Sequence, residues 1–191
     1  MIKTLSAAVV VLAAAGAASA ATVSFEAGTP SGAANPLATS TTGVVAQNVT
    51  GSIVDKRRSP FQGGAAFDDA FVYTAVTERS SATFDFGFDA KSISFLWGSP
   101  DSYNSLAFYN DGKKVDTYAY DGSLGEGVNI ATPFATVITA SSMFDSIVFS
   151  SSRDAFEFAE LSVAAVPVPA AGLLLVSALG GIAALRRRKA N

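Results

Sequence analysis

Hydrophobic and polar residues alternate with a period of two through the middle of the chain. From position 84 to position 88 every second residue is a phenylalanine, and Ile93, Phe95 and Trp97 repeat the alternation in residues 92–97. Successive side chains of a strand point to opposite faces, so each group lies on one face of a strand. The same alternation predicts strands at residues 22–26, 71–77, 82–88, 92–97, 105–109, 114–120, 134–139, 144–150 and 155–158.

Turn signals separate these strands. Asp111-Gly112 and Asp121-Gly122 are turn dipeptides ten residues apart, and one strand of a meander fits between them. No long amphipathic helical pattern competes. We therefore expect an all-β fold, an antiparallel β-sandwich that is jelly-roll-like, with an immunoglobulin-like strand order as the open alternative. Residues 28–43 are rich in Gly, Ala, Ser, Thr and Pro, which predicts a long loop or a loosely packed arm.

The first twenty residues have the three parts of a secretory signal peptide. Lys3 precedes an apolar run over residues 5–15, and small residues follow, with Ala18 and Ala20 at the −3 and −1 positions of the cleavage site. The alternative is a membrane anchor, but the apolar run is only about half as long as a membrane span requires. We expect residues 1–20 to direct export through the Sec translocon.

The last 26 residues also divide into three parts. Pro167 and Pro169 precede an uncharged segment at residues 170–185, and a basic tail occupies residues 186–189. A helix of that length spans roughly 24 Å, so flanking residues and snorkelling arginines are needed to cross a hydrocarbon core of about 30 Å. We predict a transmembrane helix at 170–185 with its basic end in the cytoplasm; the alternative is a buried core helix with a basic cap.

This tail resembles the PEP-CTERM family of bacterial sorting signals, in the variant with the consensus Val-Pro-Leu-Pro-Ala. Val168 stands where that consensus has Leu. The residues that carry the resemblance are Val166, Pro167, Val168, Pro169 and Ala170, followed by Arg186, Arg187 and Arg188. The resemblance implies processing by an exosortase, a membrane-embedded cysteine protease-transpeptidase of exopolysaccharide-producing Gram-negative bacteria, with cleavage near the motif.

Residues 21–165 form the predicted secreted domain. Its stretch from Trp97 to Asn104 and its Ala-Phe-Glu-Phe strand at 155–158 resemble β-rich, exosortase-dependent surface proteins, which implies a β-sandwich and no established catalysis. The domain holds all 16 acids of the chain and 8 of its 13 cations, so its net charge is −8. This acidity disfavours nucleic acid and anionic lipid as partners.

The composition excludes several kinds of chemistry. The chain has no Cys and no His, so disulfides, thiolate or imidazole metal sites and His-based triads are ruled out. We expect no enzyme activity and no cofactor. A structural calcium ion is the alternative to ordinary solvated loop acids, although no EF-hand spacing is present. The candidate ligands for calcium are Asp68, Asp69, Asp101, Asp111, Asp121, Glu126 and Glu157.

Two surface features remain to be interpreted. Trp97 and Tyr103 offer flat faces for a sugar ring, and Asp101 and Asn104 offer hydrogen bonds, which predicts a binding loop. The alternative, which the alternation favours, packs Trp97 into the core and makes the remainder a strand connection. The charge run 56–58 predicts an exposed loop tip; the alternative, a protease-sensitive or polyanion-contacting site, is opposed by the net charge.

Taken together, these patterns lead us to expect an exported, non-enzymatic cell-surface or extracellular-matrix protein. It would cross the inner membrane once, transiently, before processing by the exosortase. The alternatives are a carbohydrate-binding module of the exopolysaccharide matrix, a permanently anchored inner-membrane protein with an outward domain, and a secreted hydrolase.

Overall fold

The computed structural model describes residues 21–27, 30–61, 71–122 and 134–166. The predicted signal peptide, the predicted membrane helix and the basic tail lie outside these residues. The part of the chain that the structure describes forms β-strands and no helix, and so contains no helix able to span a membrane. The strands are β1 Thr22–Ala27, β2 Ser40–Thr42, β3 Val45–Val49, β4 Tyr73–Val76, β5 Ser80–Trp97, β6 Asn104–Asn110, β7 Lys113–Ala119, β8 Phe134–Ser151 and β9 Phe156–Ala165.

All of the strand pairings are antiparallel, which confirms the all-β prediction at this level. The order across the sheet is β3-β4-β9-β5-β8-β6-β7, with β1 paired to β8 and β2 paired to β5. β5 and β8 pair with each other along almost their whole length. At one end β2 pairs with β5 and β6 pairs with β8, with β7 beyond β6. At the other end β1 pairs with β8 and β9 pairs with β5, with β4 and β3 beyond β9.

β5 and β8 are each one continuous strand of 18 residues, where the alternation predicts two. The break in the pattern of β5 is a shift in register between Asp85 and Ala90, and Gly87 lies within it at a φ of +68°. A bulge of this kind interrupts alternation without ending the strand. Burial falls off along the predicted face of Phe84, Phe86 and Phe88: Phe84 is buried, whereas Phe88, whose ring lies 6.0 Å from that of Phe86, is 40% exposed.

Aromatic rings from both ends of β5 and β8 meet in a single core. Phe84 contacts Phe149 and Phe158, with ring centroids 5.5 and 5.9 Å apart. Phe149 in turn stacks on Phe158 at 4.1 Å, and Phe95 lies 5.5 Å from Phe149. Each fully buried phenylalanine contributes about 1.5–3 kcal/mol through removal of apolar surface from water. Burial of these rings therefore stabilises the packing of the sheet.

The sequence predicts a long loop or a loosely packed arm at residues 28–43. Residues 30–38 form a loop without helix or strand, but this loop is held firmly in place. Asn35 is buried, and its Nδ2 donates 3.0 Å hydrogen bonds to Thr74 Oγ1 and to the carbonyl oxygen of Phe158. Its Oδ1 accepts a 2.8 Å bond from the amide of Leu161. The arm then forms β2 on the edge of β5. Composition alone predicted loose packing because it does not reveal this one buried amide.

Candidate ligand-binding cleft

A cleft of about 530 Å³ opens beside the first residues of β9. We call it the Glu157 cleft. One wall is the loop 52–58, which lies between β3 and β4. The other wall comes from the connection between β5 and β6 and from the turn before β9. Its lining residues are residues 52–58 together with Ser99, Tyr103, Asp154, Ala155 and Glu157.

Glu157 is the buried acid at the cleft, with 2% of its surface exposed. Its Oε1 accepts a 2.7 Å hydrogen bond from the amide of Arg58, and its Oε2 accepts a 3.1 Å bond from Ser99 Oγ. Burial raises the pKa of Glu157 from 4.5 to about 7, although these two hydrogen bonds oppose the shift. The carboxyl group of Glu157 therefore changes between its protonated and ionised forms near neutral pH.

The loop 52–58 is shaped by its own hydrogen bonds. Ile53 and Arg57 exchange backbone bonds of 2.9 and 3.0 Å, and Asp55 between them has a φ of +57°. The guanidinium of Arg57 donates to the carbonyl oxygens of Thr50 and Gly51, and donates a 2.7 Å bond to the hydroxyl of Tyr73. Of the charge run 56–58, residues 56 and 58 are exposed as predicted, but Arg57 is half-buried and supports the loop.

Tyr103 lines the opposite wall. Its hydroxyl lies 2.7 Å from Asp101 Oδ2 and 3.0 Å from the carbonyl oxygen of Asp154, so its single proton can serve either acceptor. Burial and the hydrogen bond to Asp101 raise the pKa of Tyr103 well above its usual value. Tyr103 is therefore a neutral hydroxyl at physiological pH.

The structure separates the four residues of the predicted binding loop. Tyr103 lines the cleft and Asp101 holds its hydroxyl. Trp97, by contrast, has no exposed surface and stacks on Phe156 at 4.6 Å, so in this structure its ring faces cannot meet a sugar. Asn104 is also buried, and its Oδ1 accepts a 3.0 Å bond from Ser151 Oγ. The packing alternative for Trp97 agrees with this position.

Most of the other predicted site residues lie outside the residues that the structure describes. Val166 is the last described residue, and its amide donates a 2.8 Å bond to the carbonyl oxygen of Asp89. The other sorting-signal residues and the predicted cleavage residues Ala18 and Ala20 lie outside the described residues, as do the calcium candidates Asp68, Asp69 and Glu126. Within the described ranges, no three acidic side chains come together as a metal-holding group.

Sequence analysis did not single out the loop 52–58 and Ser99 as partners of Glu157. The sequence does hold one signal for a site at Glu157, its position between Phe156 and Phe158. In a strand a side chain at this position points away from the face that the two phenylalanines share. Comparison of the chain with protein-family models, with curated proteins and with solved structures finds no match.

Proposed function

We propose that this chain is an exported, non-enzymatic cell-surface or extracellular-matrix protein that an exosortase processes through its C-terminal sorting signal. The observation that carries the proposal is the junction at Val166. β9 ends at Ala165, and the motif that resembles a sorting signal begins at the next residue. Proline has no amide proton to donate to a sheet and disfavours helix, so Pro167 and Pro169 favour an extended segment that a protease can bind.

The proposal includes a jelly-roll-like sandwich as the exported domain. Its support is that β5 and β8 are shared by two groups of strands, and that rings from both groups contact each other. Phe84, beside β2 and β8, touches Phe158 of β9, and Phe95, beside β9, touches Phe149, which pairs with β6. A core filled from two strand groups is the arrangement expected of two packed layers.

The proposal assigns the chain the route of a Sec-exported protein. The signal peptide at 1–20 brings the domain across the inner membrane, and the helix at 170–185 holds it there transiently. Cleavage then passes the domain to the cell surface or the exopolysaccharide. The net charge of −8 over residues 21–165 supports a partner other than nucleic acid.

Two epitope tags test this route in the native host. The first is inserted at Asp111-Gly112, the exposed turn between β6 and β7, and the second follows Asn191. We expect the first tag to leave the inner membrane on a shortened chain. The intact mass of that chain should place its C-terminus between residues 166 and 170. If both tags stay together in the inner membrane at full mass, the chain is a permanently anchored protein and the proposal is wrong.

A matched pair of variants identifies the segment responsible. Replacing Pro167 and Pro169 by Ala lets the motif continue as a helix, so release of the first tag should fall. Replacing the exposed Pro36 by Ala should leave release unchanged. Equal release of the first tag from both variants would mean that the two prolines of the motif are not needed for processing.

A second candidate function is a carbohydrate-binding module of the matrix. The observation that favours it is the Glu157 cleft, which is lined by two hydroxyls that are hydrogen-bonded to carboxyl groups, Ser99 to Glu157 and Tyr103 to Asp101. Volumes of about 300–1,000 Å³ are usual for small-molecule sites, and this cleft lies within that range.

A further inference from the structure

Half of the cations of the domain lie at or beside the Glu157 cleft. Residues 21–165 hold 8 Lys and Arg residues against 16 acids, yet Lys56, Arg57 and Arg58 line this cleft. Arg153 precedes the cleft residue Asp154, and its positive charge interacts electrostatically with Tyr103. Three acids, Asp55, Asp154 and Glu157, line the same cleft and balance the three cations that line it. An anionic group therefore meets less repulsion here than over the domain as a whole, whose net charge is −8.

The cationic side chains differ in whether they already have partners within the protein. Arg57 is held by Thr50, Gly51 and Tyr73, as described above. Lys56 is exposed, and within the described ranges the structure gives its ammonium group no ion pair. An ammonium on a flexible stem can reach a carboxylate at the mouth of the cleft.

The inner part of the cleft offers a mixture of donors and acceptors. Ser99 Oγ donates its proton to Glu157 and keeps lone pairs to accept with. When protonated, the carboxyl group of Glu157 has an O–H to donate. Ring hydroxyls, each of which both donates and accepts, match such a surface better than a purely apolar or purely anionic ligand does.

We propose that the Glu157 cleft binds an acidic sugar, a hexuronate unit of a polysaccharide, with the sugar carboxylate at Lys56 and its ring hydroxyls at Ser99 and Glu157. This rests on the carbohydrate-binding candidate above and names its ligand class. Asp55 and Asp154 also line the cleft, and their carboxylates oppose an anionic ligand. Asp55 lies next to Lys56 in the loop, so removing its charge strengthens binding.

Calorimetry on the full chain, purified in detergent, tests this. The probes are trigalacturonate and trimannuronate, with maltotriose as the neutral sugar of equal length. We expect at least one uronate trimer to bind more tightly than maltotriose. Lys56→Ala should weaken that binding about fivefold, the worth of a partly exposed ion pair of about 1 kcal/mol. Asp55→Asn should strengthen it by a comparable factor.

Lys113→Ala is the matched control, because Lys113 is an exposed lysine at the start of β7 and does not line the cleft. It should leave uronate binding unchanged. The inference is overturned if neither uronate binds, if Lys113→Ala weakens binding as much as Lys56→Ala, or if maltotriose binds as tightly as the uronates. The full chain is measured before any processing, so failure of the sorting proposal would leave this result intact, and the reverse also holds.

Discussion

The carboxyl group of Glu157 accepts a 2.7 Å hydrogen bond from the backbone amide of Arg58, a residue 99 positions earlier in the chain. This bond ties the loop 52–58 to β9 and closes one wall of the cleft. Ser99 donates to the other oxygen of the same carboxyl group, so one buried acid joins three separate segments. Both the shape of the cleft and its response to pH therefore depend on Glu157.

Glu157 makes the stability of the protein depend on pH. Its pKa is raised from 4.5 to about 7 in the folded state, so the folded protein binds a proton more tightly than the unfolded chain does. Below about pH 4.5 the carboxyl group is neutral in both states, so its burial carries no desolvation penalty. As the pH rises from there to about 7, the free energy of unfolding falls. The full shift corresponds to a loss of about 3 kcal/mol.

Urea midpoints measured from pH 4 to pH 8 check this. The difference between the wild type and Glu157→Gln should change over that interval, because Gln does not ionise, with the variant gaining relative stability at high pH. Asp101, Tyr73 and Tyr103 also interact electrostatically with Glu157 and remain in both proteins. A flat difference for Glu157→Gln would contradict the prediction.

Trp97→Ala should destabilise the fold strongly. Trp97 is completely buried, stacks on Phe156 and contacts Phe95 at 5.6 Å, so its removal leaves a large cavity. Truncation of a buried aromatic residue costs about 3–5 kcal/mol. Chemical unfolding followed by circular dichroism measures the loss.

Phe88→Ala is the matched control for Trp97→Ala. Phe88 is 40% exposed at the bulge of β5, so its removal should cost less than about 1.5 kcal/mol. Comparable losses from the two variants would mean that Trp97 does not occupy the core position described here.

Two glycines with the same backbone angle should respond differently to alanine. Gly43 and Gly112 both have a φ of +72°, which costs about 1–2 kcal/mol for a residue with a Cβ atom. A Cβ at Gly112 would meet open space, whereas a Cβ at Gly43 would overlap Ser80 Oγ and lie 3.2 Å from the Ser80 Cα. Gly43→Ala should therefore be the more destabilising of the two.

Thermal unfolding of the two glycine variants under one set of conditions gives the comparison. The Ser80 hydroxyl is part of the explanation, since it accepts a 2.8 Å bond from the amide of Val44 and a Cβ would displace it. Equal losses from Gly43→Ala and Gly112→Ala would show that the angle alone sets the cost.

Much of the sheet could be predicted from local pattern. The alternation placed Phe95 and Trp97 together on a buried face, and the Asp111-Gly112 dipeptide marked the turn between β6 and β7. The alternation did not reveal that β5 is one continuous strand, because a bulge changes the register within it. A bulge is decided by the pairing partner as well as by the strand itself, so alternation could not locate it.

The sequence by itself determined which residues face inward along most strands, because side-chain direction in a strand is a local property with a period of two. It also supplied the resemblance of the tail to a sorting signal, since that motif is contiguous. Only the tertiary structure decided that Tyr103 lines a cleft, and that Arg58, Ser99 and Glu157 meet. Those relationships depend on strand order and register, which bring Arg58 and Glu157 together across 99 positions.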